Sequence, residues 1–316
     1  MRLGVVGGSS LVKLEDEHLD AFKSIGMKVI QNEEISVETE YGEVSLHIVG
    51  LESAPCYPVL DRGIQHTIVF VQRHRHKDGG MMPPHMINHR ANIKALADQK
   101  VDRIVATTSV GAIVSSFPPG RVGIARQYID FTGVPMTFHE NSAKFTSVTQ
   151  PFSSELNKEL EATLRRVQGL RPEVRLAYTC WLSAGPQYET EAEVTAVERL
   201  GGEVCGFTMP REAKLCAELG IPYAALLVAT NWAAGRHPGD HTKALSHEEL
   251  TQCAAERAGV ILSCLVDLVK GAGHSASSQF GSATKRKGAE ADAWSDFYIK
   301  KARESRDEPA TVQAVA

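Results

Sequence analysis

Short runs of apolar residues alternate along this chain with segments of helical periodicity, and this alternation limits the fold more than any other feature. Apolar runs bounded by turn signals are typical of buried strands. The runs lie at 3–6, 67–71, 104–107, 121–125, 174–181, 203–207 and 223–230, and the helical patterns at 87–97, 190–200, 212–219 and 247–269. Strands alternating with helices favour an α/β fold with helices around a sheet. We therefore predict a single α/β domain with a central mixed β-sheet over residues 1–271.

Composition limits the partners of the chain. A net charge of −4 argues against a general nucleic-acid binder, and no apolar run approaches the length of a membrane span. The sequence enters its first strand at once, without room for a signal peptide. Its six cysteines are scattered and form no C-x-x-C pair, which favours buried, reduced thiols. These features predict a cytoplasmic protein with neither a nucleic-acid nor a membrane partner.

The composition changes after Gly271. Residues 273–282 are rich in Gly, Ser and Ala, which is typical of a flexible linker. Residues 285–316 are charged and poor in aliphatic side chains. We predict a flexible C-terminal tail over 272–316; the alternative is a docked helix with one aromatic face. That face would carry Trp294, Phe297, Tyr298 and Lys301.

Residues 184–194 combine a turn, an aromatic ring, a carboxylate and a helix start. Thr190 and Glu193 have the spacing of a capping box, which predicts that a helix begins there. Glu189 then lies just outside a helix N-terminus, beside Tyr188. Its carboxylate either stabilises the helix or, with the ring, binds a flat heterocycle that carries an N–H group.

The last helical pattern is predicted as one long helix over 247–269. Ser246 and Glu249 have the spacing of a second capping box at its start. His247 falls in the first turn, where its ring faces either a pocket or solvent. The Gly- and Pro-rich loop before it contains His237 and His241, which are surface residues or parts of a lid.

Polar residues follow several of the predicted strands. A Gly-rich turn at 7–10 follows the first strand, and 107–111 is predicted to form a similar turn with three hydroxyl groups. Such turns suit an oxyanion, and ligands of open α/β sheets gather at the carboxyl ends of strands. Arg73 follows the strand 67–71 and has the geometry to bind an anion bidentately. Asn231 follows another strand and can both donate to and accept from a heteroaromatic edge.

A metal site is considered because four of the twelve histidines lie between His74 and His89. His85 and His89 have the spacing to share a helix face. The Glu of an H-E-x-x-H motif is absent, and no cysteine lies nearby. Because a metal site needs its full ligand set, we predict no metal.

Taken in order, seven segments resemble the trimeric purine nucleoside phosphorylases and methylthioadenosine phosphorylases. They are 5–9, 73–74, 84–93, 107–111, 184–194, 206–208 and 229–231. Each is modest alone, but together they span about residues 3–270 in the order of that family. The tail after Gly271 lies outside the resemblance.

The resemblance implies that inorganic phosphate cleaves the N-glycosidic bond of a purine nucleoside, giving a free purine and a pentose 1-phosphate without a cofactor. The implied phosphate site is Ser9, Arg73, His74, Thr108, Ser109 and Thr208. The implied substrate-binding residues are Tyr188, Glu189, Phe207, Asn231, Ala233 and His247, of which Asn231, Glu189 and His247 have catalytic roles. Phosphate held below the sugar supplies positioning and charge stabilisation rather than a covalent enzyme intermediate.

The resemblance also implies a homotrimer in which an aromatic residue of a neighbouring subunit closes each sugar site. Phe131 and Phe138 are both candidates for that residue. The loop 73–82 looks longer than in the methylthioadenosine relatives, and either Arg75 or His76 is a candidate to enter the phosphate site.

The resemblance implies that Glu189 and Asn231 contact the purine as in the enzymes for 6-oxopurine nucleosides, such as inosine and guanosine. A Glu carboxylate accepts a hydrogen bond from the N1–H of hypoxanthine or guanine but opposes the bare N1 of adenine, and such a mismatch discriminates strongly. His247 matches the position that binds the ribose 5′-hydroxyl in the nucleoside enzymes. The alternatives are a methylthioadenosine or methylthioinosine phosphorylase, and a nucleoside-binding protein without catalysis.

Overall fold

The structure is a computed structural model that describes residues 1–53, 63–76 and 80–278. Its strands are β1 (Arg2–Gly7), β2 (Met27–Thr39), β3 (Gly42–Ser53), β4 (Gln65–Gln72), β5 (Arg103–Ala112), β6 (Val122–Asp130), β7 (Ala177–Leu182), β8 (Val204–Gly206) and β9 (Tyr223–Trp232). Its helices are α1 (Asp16–Ser24), α2 (His89–Asp98), α3 (Ser154–Val167), α4 (Glu191–Arg199), α5 (Met209–Leu219), α6 (His247–Ala255) and α7 (Ala258–Ser278). A 3-10 turn, Pro84–Met86, precedes α2.

The described strands form one mixed sheet in the order β2-β3-β4-β1-β5-β8-β7-β6-β9. β9 pairs with β6 and, in parallel, with β5. The strands β5, β8, β7, β6 and β9 therefore close into a ring, while β1 to β4 extend one side of it. Helices surround this sheet, which confirms the predicted α/β fold with a central mixed sheet.

The hydrophobic core lies on both faces of the sheet. Along β5, Ile104 belongs to the cluster shared with α2 and α5, and Val105 to the cluster shared with α1, α3 and α7. This alternation follows from the two-residue period of a strand. The helices bury Ile93 and Leu215 on one face, and Phe22, Leu160 and Leu265 on the other.

The hairpin β2–β3 and the helices α1 and α3 are absent from the sequence-based prediction. β2 is the edge strand of the sheet, and it buries little beyond Met27. Its apolar signal is therefore weak, because most of its side chains face solvent. In α3, Leu156, Leu160 and Leu164 are buried at helical spacing, a pattern that was present in the sequence.

The C-terminal pattern forms two helices, so the single helix predicted over 247–269 is wrong. α6 ends at Ala255 and α7 begins at Ala258. At the break the Arg257 N–H donates to the carbonyl of Ala254, three residues earlier, at 3.1 Å. This 3-10 bond tightens the chain and interrupts the regular α-helical ladder.

The two predicted capping boxes differ in the structure. At α4 both halves form, because Thr190 Oγ1 accepts from the Glu193 N–H and the Glu193 carboxylate accepts from the Thr190 N–H. At α6, Ser246 Oγ accepts from the Glu249 N–H at 3.4 Å. The Glu249 carboxylate lies 3.4 Å from Lys243 Nζ instead of reaching back to the cap. Only half of the second capping box is therefore present.

Residues Met1–His274 form one compact unit. α7 continues to Ser278, so helix covers the first part of the segment 273–282 that the composition predicts as a linker. Residues 279–316, with the aromatic residues of the predicted tail, lie outside the described residues, and the boundary at 271 stays a prediction. Among the helices described, none is both long and apolar enough to cross a membrane.

Candidate active site

A cavity of about 390 Å³ lies at the carboxyl ends of several strands. It is lined by the turns after β1 and β4, the second half of β5, the ends of β8 and β9, and the start of α6. Of the predicted site residues, it brings together Ser9, Arg73, His74, Thr108, Ser109, Tyr188, Glu189, Phe207, Thr208, Asn231 and His247. Ala233 is the one that it leaves out.

The turn after β1 approaches its neighbours closely. A Cβ added at Gly8 would lie 2.6 Å from Arg73 Nη1 and 2.8 Å from the carbonyl oxygen of Thr107. The Gly8 N–H donates to Thr107 Oγ1 at 3.1 Å. Glycine is therefore required here, and it brings the Ser9 side chain into the cavity beside Arg73.

Thr108 and Ser109 lie within β5, which continues to Ala112. The turn predicted over 107–111 is therefore wrong, because pairing with β9 extends through this segment and only shifts register after Val110. Both side chains nevertheless line the cavity. The Ser109 hydroxyl is buried and finds no hydrogen-bond partner in the described part of the chain, which suits it to a ligand.

The N-terminus of α5 also faces the cavity. Thr208 is its N-cap residue, but the Thr208 side chain makes no capping hydrogen bond. Instead Thr208 Oγ1 lies 3.3 Å from Thr108 Oγ1. The 11-residue helix α5 thus begins beside two hydroxyl groups, an arrangement that favours an anion.

Arg73 is held by a buried carboxylate. Its Nε and Nη2 donate to the two oxygens of Glu212 at 2.6 and 2.8 Å, and its Nη1 donates to the carbonyl of Thr107. Both side chains of the pair are 1% exposed. The edge predicted to bind an anion bidentately is therefore occupied by Glu212, and two of the five guanidinium N–H groups remain for a ligand.

Two further groups lie beside the Glu212 carboxylate. The Tyr223 hydroxyl donates to Glu212 Oε2 at 2.8 Å, and the Nδ1 atom of the buried His89 lies 3.6 Å from Glu212 Oε1. Burial alone would raise the pKa of Glu212, but Arg73 and His89 outweigh it and hold that pKa at about 2. Glu212 is therefore ionised and fixes the guanidinium.

His74 is a neutral ring with a defined tautomer. Its Nδ1 lies 2.8 Å from the carbonyl oxygen of Met82. A carbonyl only accepts, so Nδ1 carries the hydrogen and Nε2 is left as an acceptor. Burial, and then the charge of Arg73, lower the pKa of His74 to about 4.

The segment before α4 places a carboxylate and a ring at the other end of the cavity. Ser183 Oγ donates to Glu189 Oε1, and the rings of Tyr188 and Phe207 lie 5.9 Å apart at 34°. Cys205 lines the same region, and burial together with the Glu189 charge raises the pKa of its thiol. Glu189 is thus an oriented acceptor in a pocket with two aromatic walls.

Asn231 lies at the end of β9. Its Nδ2 donates to the carbonyl of Trp232 at 2.8 Å, and its Oδ1 accepts from Thr230 Oγ1 at 3.0 Å. These two bonds fix the amide orientation and leave one N–H group for a ligand. A Cβ added at Gly111 would come within 3.3 Å of Asn231 Nδ2, so the glycine gives this amide its room.

His247 begins α6, as predicted, and its ring lines the cavity. Its Nδ1 lies 3.4 Å from the Tyr188 hydroxyl. Leu250 and Thr251, one turn further along the helix, line the cavity with it, and so does Met81. This end of the cavity therefore combines polar atoms with apolar surface.

Ala233 lies outside the main cavity, contrary to its predicted place among the substrate contacts. It lines a second cavity of about 210 Å³ together with Trp232 and His237. Asn231 lines both cavities. Ala233 is 3% exposed and packs in a small hydrophobic cluster with Val194, so it supports the strand that carries Asn231.

The histidine cluster forms no shared helix face. α2 begins only at His89, while His85 lies in the preceding 3-10 turn, and the His89 ring is buried beside Glu212. Arg75 pairs with Glu34 at 3.0 Å. Neither Arg75 nor His76 is among the described residues of the cavity lining.

Sequence reasoning missed Glu212, the carboxylate that holds Arg73. It is one of several acidic residues in helical patterns, and only the tertiary structure brings it to Arg73, 139 residues away. Ser183 was also missed, although its place just after an apolar strand was visible. Met81 and Leu250 carried no signal beyond their hydrophobicity.

Comparisons with known proteins identify the family of the chain. Residues 35–266 match the phosphorylase superfamily. The 6-oxopurine nucleoside phosphorylase of Pyrococcus furiosus is 33% identical over 84% of this chain and 91% of its own length. A probable S-methyl-5′-thioinosine phosphorylase of Thermodesulfovibrio yellowstonii is 31% identical over 74% of this chain and 79% of its own length.

The fold is similar to solved structures as well. A methylthioadenosine phosphorylase from Schistosoma mansoni in complex with adenine superposes with a TM-score of 0.67, covering 86% of this chain and 92% of its own, at 19% identity. That likeness confirms the fold alone. With the sequence matches, the chain belongs to the phosphorylase superfamily and is an enzyme of the purine nucleoside phosphorylase family that catalyses nucleoside phosphorolysis.

Proposed function

We propose that this protein is a 6-oxopurine nucleoside phosphorylase that acts on inosine and guanosine. The observation that carries the proposal is the Glu189 carboxylate, oriented by Ser183 within the same cavity as Arg73. The Glu189 side chain accepts a hydrogen bond from the N1–H of hypoxanthine or guanine. Adenine presents a lone pair at N1, and two opposed acceptors cost binding energy.

The opposite end of the cavity is the proposed phosphate site. Its donors are the remaining N–H groups of Arg73 and the hydroxyls of Ser9, Thr108, Ser109 and Thr208. Phosphate held there attacks the anomeric carbon as the bond to the purine breaks, and its negative charge stabilises the oxocarbenium-like sugar.

The purine leaves with added electron density, which the protein must stabilise. We assign this role to the free N–H of Asn231, which donates to N7 of the base. The two bonds to Trp232 and Thr230 hold the amide in place before the substrate arrives, so no reorganisation is needed as charge develops. Tyr188 and Phe207 pack against the base and sugar.

A second candidate is methylthioinosine phosphorolysis. The base is the same, so the two functions differ only at the 5′ position of the sugar. Leu250 and Met81 offer apolar surface for a methylthio group, whereas His247 and the Tyr188 hydroxyl offer polar partners for a 5′-hydroxyl. We favour the hydroxyl because the two polar side chains lie within 3.4 Å of each other.

Steady-state assays with inosine, guanosine, methylthioinosine and methylthioadenosine, each with phosphate, test this proposal. We expect inosine and guanosine to be cleaved with the highest kcat/KM, and His247→Val to lower kcat/KM for inosine about tenfold while sparing methylthioinosine, because the variant removes a partner of the 5′-hydroxyl only.

His241→Val is the matched control, since His241 is exposed and bonds to the Gly235 carbonyl outside the cavity. Faster cleavage of methylthioadenosine than of inosine would contradict the choice of base. Purine binding without phosphate-dependent turnover would identify a binding protein instead. If His247→Val lowered kcat/KM equally for inosine and for methylthioinosine, the role of His247 would be structural only.

A further inference from the structure

We propose that His74 recognises the proton on the phosphate co-substrate, so that this site selects hydrogen phosphate over sulfate. The inference rests on the proposed function, since it takes this end of the cavity to bind phosphate. The Nδ1–H of His74 is committed to the Met82 carbonyl at 2.8 Å. The ring therefore presents to the cavity a nitrogen that can only accept a hydrogen bond.

The charge of the site does not favour one dianion over another. Arg73 is the only lysine or arginine among the described residues that line the cavity, and Glu212 neutralises it through two hydrogen bonds. The anion is therefore held by directed hydrogen bonds instead of by excess positive charge. Sulfate and hydrogen phosphate have the same shape and charge, so their difference lies in the one proton.

The remaining polar groups do not make this distinction. The hydroxyls of Ser9, Thr108, Ser109 and Thr208 rotate and either donate or accept. His74 Nε2 makes no hydrogen bond to the described residues, and it lacks such freedom while Met82 holds the other ring nitrogen. Hydrogen phosphate satisfies Nε2 by donating its O–H, whereas an oxygen of sulfate opposes Nε2 lone pair to lone pair.

The surroundings of His74 keep Nε2 unprotonated. The charged and titratable groups that face the ring are Arg73, Glu212 and His89. The positive charge of Arg73 and the burial of the ring oppose a second proton, and the Glu212 carboxylate is already paired with Arg73. The acceptor is therefore present at neutral pH.

Isothermal titration of the enzyme with phosphate, arsenate, sulfate and monofluorophosphate tests the proposal. Arsenate carries the same proton as phosphate, whereas monofluorophosphate replaces the O–H with fluorine. We expect phosphate and arsenate to bind at least about tenfold more tightly than sulfate and monofluorophosphate, because an unpaired buried acceptor is costly.

His74→Gln and His85→Gln form a matched pair of variants. The Gln amide at position 74 can present either N–H or C=O, so we expect the preference for phosphate over sulfate to fall below about threefold. His85 is exposed and absent from the cavity lining, and its variant should keep the wild-type ratio.

Two results would overturn the proposal: sulfate or monofluorophosphate binding to the wild type within about threefold of phosphate, or an unchanged preference in folded His74→Gln. If that variant fails to fold, the four anions still decide the question on the wild-type protein. These experiments measure binding, so their outcome does not depend on turnover. An absence of turnover would contradict the proposed function and not the role given to His74.

Discussion

At the scale of single residues, Glu212 neutralises the buried charge of Arg73 but leaves two of its N–H groups to bind a ligand. An isolated buried guanidinium would be costly, and Glu212 compensates it while aiming its remaining N–H groups. The Tyr223 hydroxyl occupies a further lone pair of the carboxylate. Every charged atom in this cluster therefore has a fixed partner, which makes the orientation of Arg73 a property of the fold.

Glu212→Gln should destabilise the protein by about 3 kcal/mol, because it leaves a buried guanidinium without its counter-ion. The pKa of Glu212 is about 2 in the folded protein against an ordinary 4.5. A lowered pKa means that its contribution to stability is complete above pH 4.5 and is lost as the pH falls towards 2. Urea unfolding at a series of pH values measures both effects.

Glu161→Gln is the control for this experiment. Glu161 pairs with Arg165 at 2.6 Å on the surface of α3, where both side chains are partly exposed, and the loss should stay below about 1 kcal/mol. A Glu212 variant as stable as this control, with an unchanged pH dependence, would contradict the role given to the buried pair.

At the scale of elements, the capping box of α4 fixes the position of the carboxylate that precedes it. Thr190→Ala should cost about 1 kcal/mol of stability and raise KM for inosine more than KM for phosphate, because Glu189 is the adjacent residue. Thr190→Ser should keep the wild-type stability and the wild-type KM for inosine, since its hydroxyl still accepts from the Glu193 N–H. Thermal unfolding and steady-state kinetics provide the measurements.

The N-cap of α3 supplies the comparison. Ser153 Oγ accepts from the Leu156 N–H at 3.3 Å, and Ser153 is absent from the described cavity lining. Ser153→Ala should therefore lose similar stability without a change in either KM. A Thr190→Ala variant with the same kinetic profile as Ser153→Ala would show that the cap is structural only.

Sequence reasoning identified several elements whose signals are local, although it overlooked the local pattern of α3. The cap of α4 follows from two residues three apart, and β1, β4 and β9 follow from continuous apolar runs. The break between α6 and α7 was not predicted, because Glu256 and Arg257 give no local signal that a helix ends there. The extension of β5 through Thr108 was not predicted either, because it depends on pairing with β9.

At the scale of the whole molecule, the segment between β6 and α3 leaves large apolar side chains in solvent. Phe131 is 71% exposed and Phe145 is 94% exposed, whereas Phe138 packs against Tyr41 with ring centroids 5.4 Å apart. We propose that this segment contacts a neighbouring subunit in a homotrimer. Phe131, not the partly buried Phe138, is then the better candidate of the two named from the sequence.

Light scattering should give a mass three times that of the 316-residue chain, because burying such exposed rings favours association. Phe145→Ser should weaken the assembly, so that smaller species appear on dilution. Val12→Ser removes a half-exposed apolar residue elsewhere and should leave the mass unchanged. A monomeric wild-type protein would contradict the proposal.

The site as a whole was only partly predictable. Of the eleven predicted residues that line the cavity, all except His247 lie at or near the carboxyl ends of strands. The alternation of strands and helices already implied that these strand ends would meet. The surroundings of Glu212 and Ala233 could not be predicted in this way. Their surroundings depend on α5 and the second cavity, and no local pattern reports a contact made over such a distance in the chain.

The break between α6 and α7 separates the residues that line the cavity from those that anchor the C-terminal helix in the core. α7 is anchored in the core by Ile261 and Leu265, whereas α6 is a nine-residue helix that brings His247, Leu250 and Thr251 to the cavity. The residues of α6 that line the cavity can therefore be substituted without changing the buried side chains that anchor α7. If His247 binds the 5′ position of the sugar as proposed, substitutions confined to α6 should change the range of sugars accepted while the choice of base by Glu189 is kept.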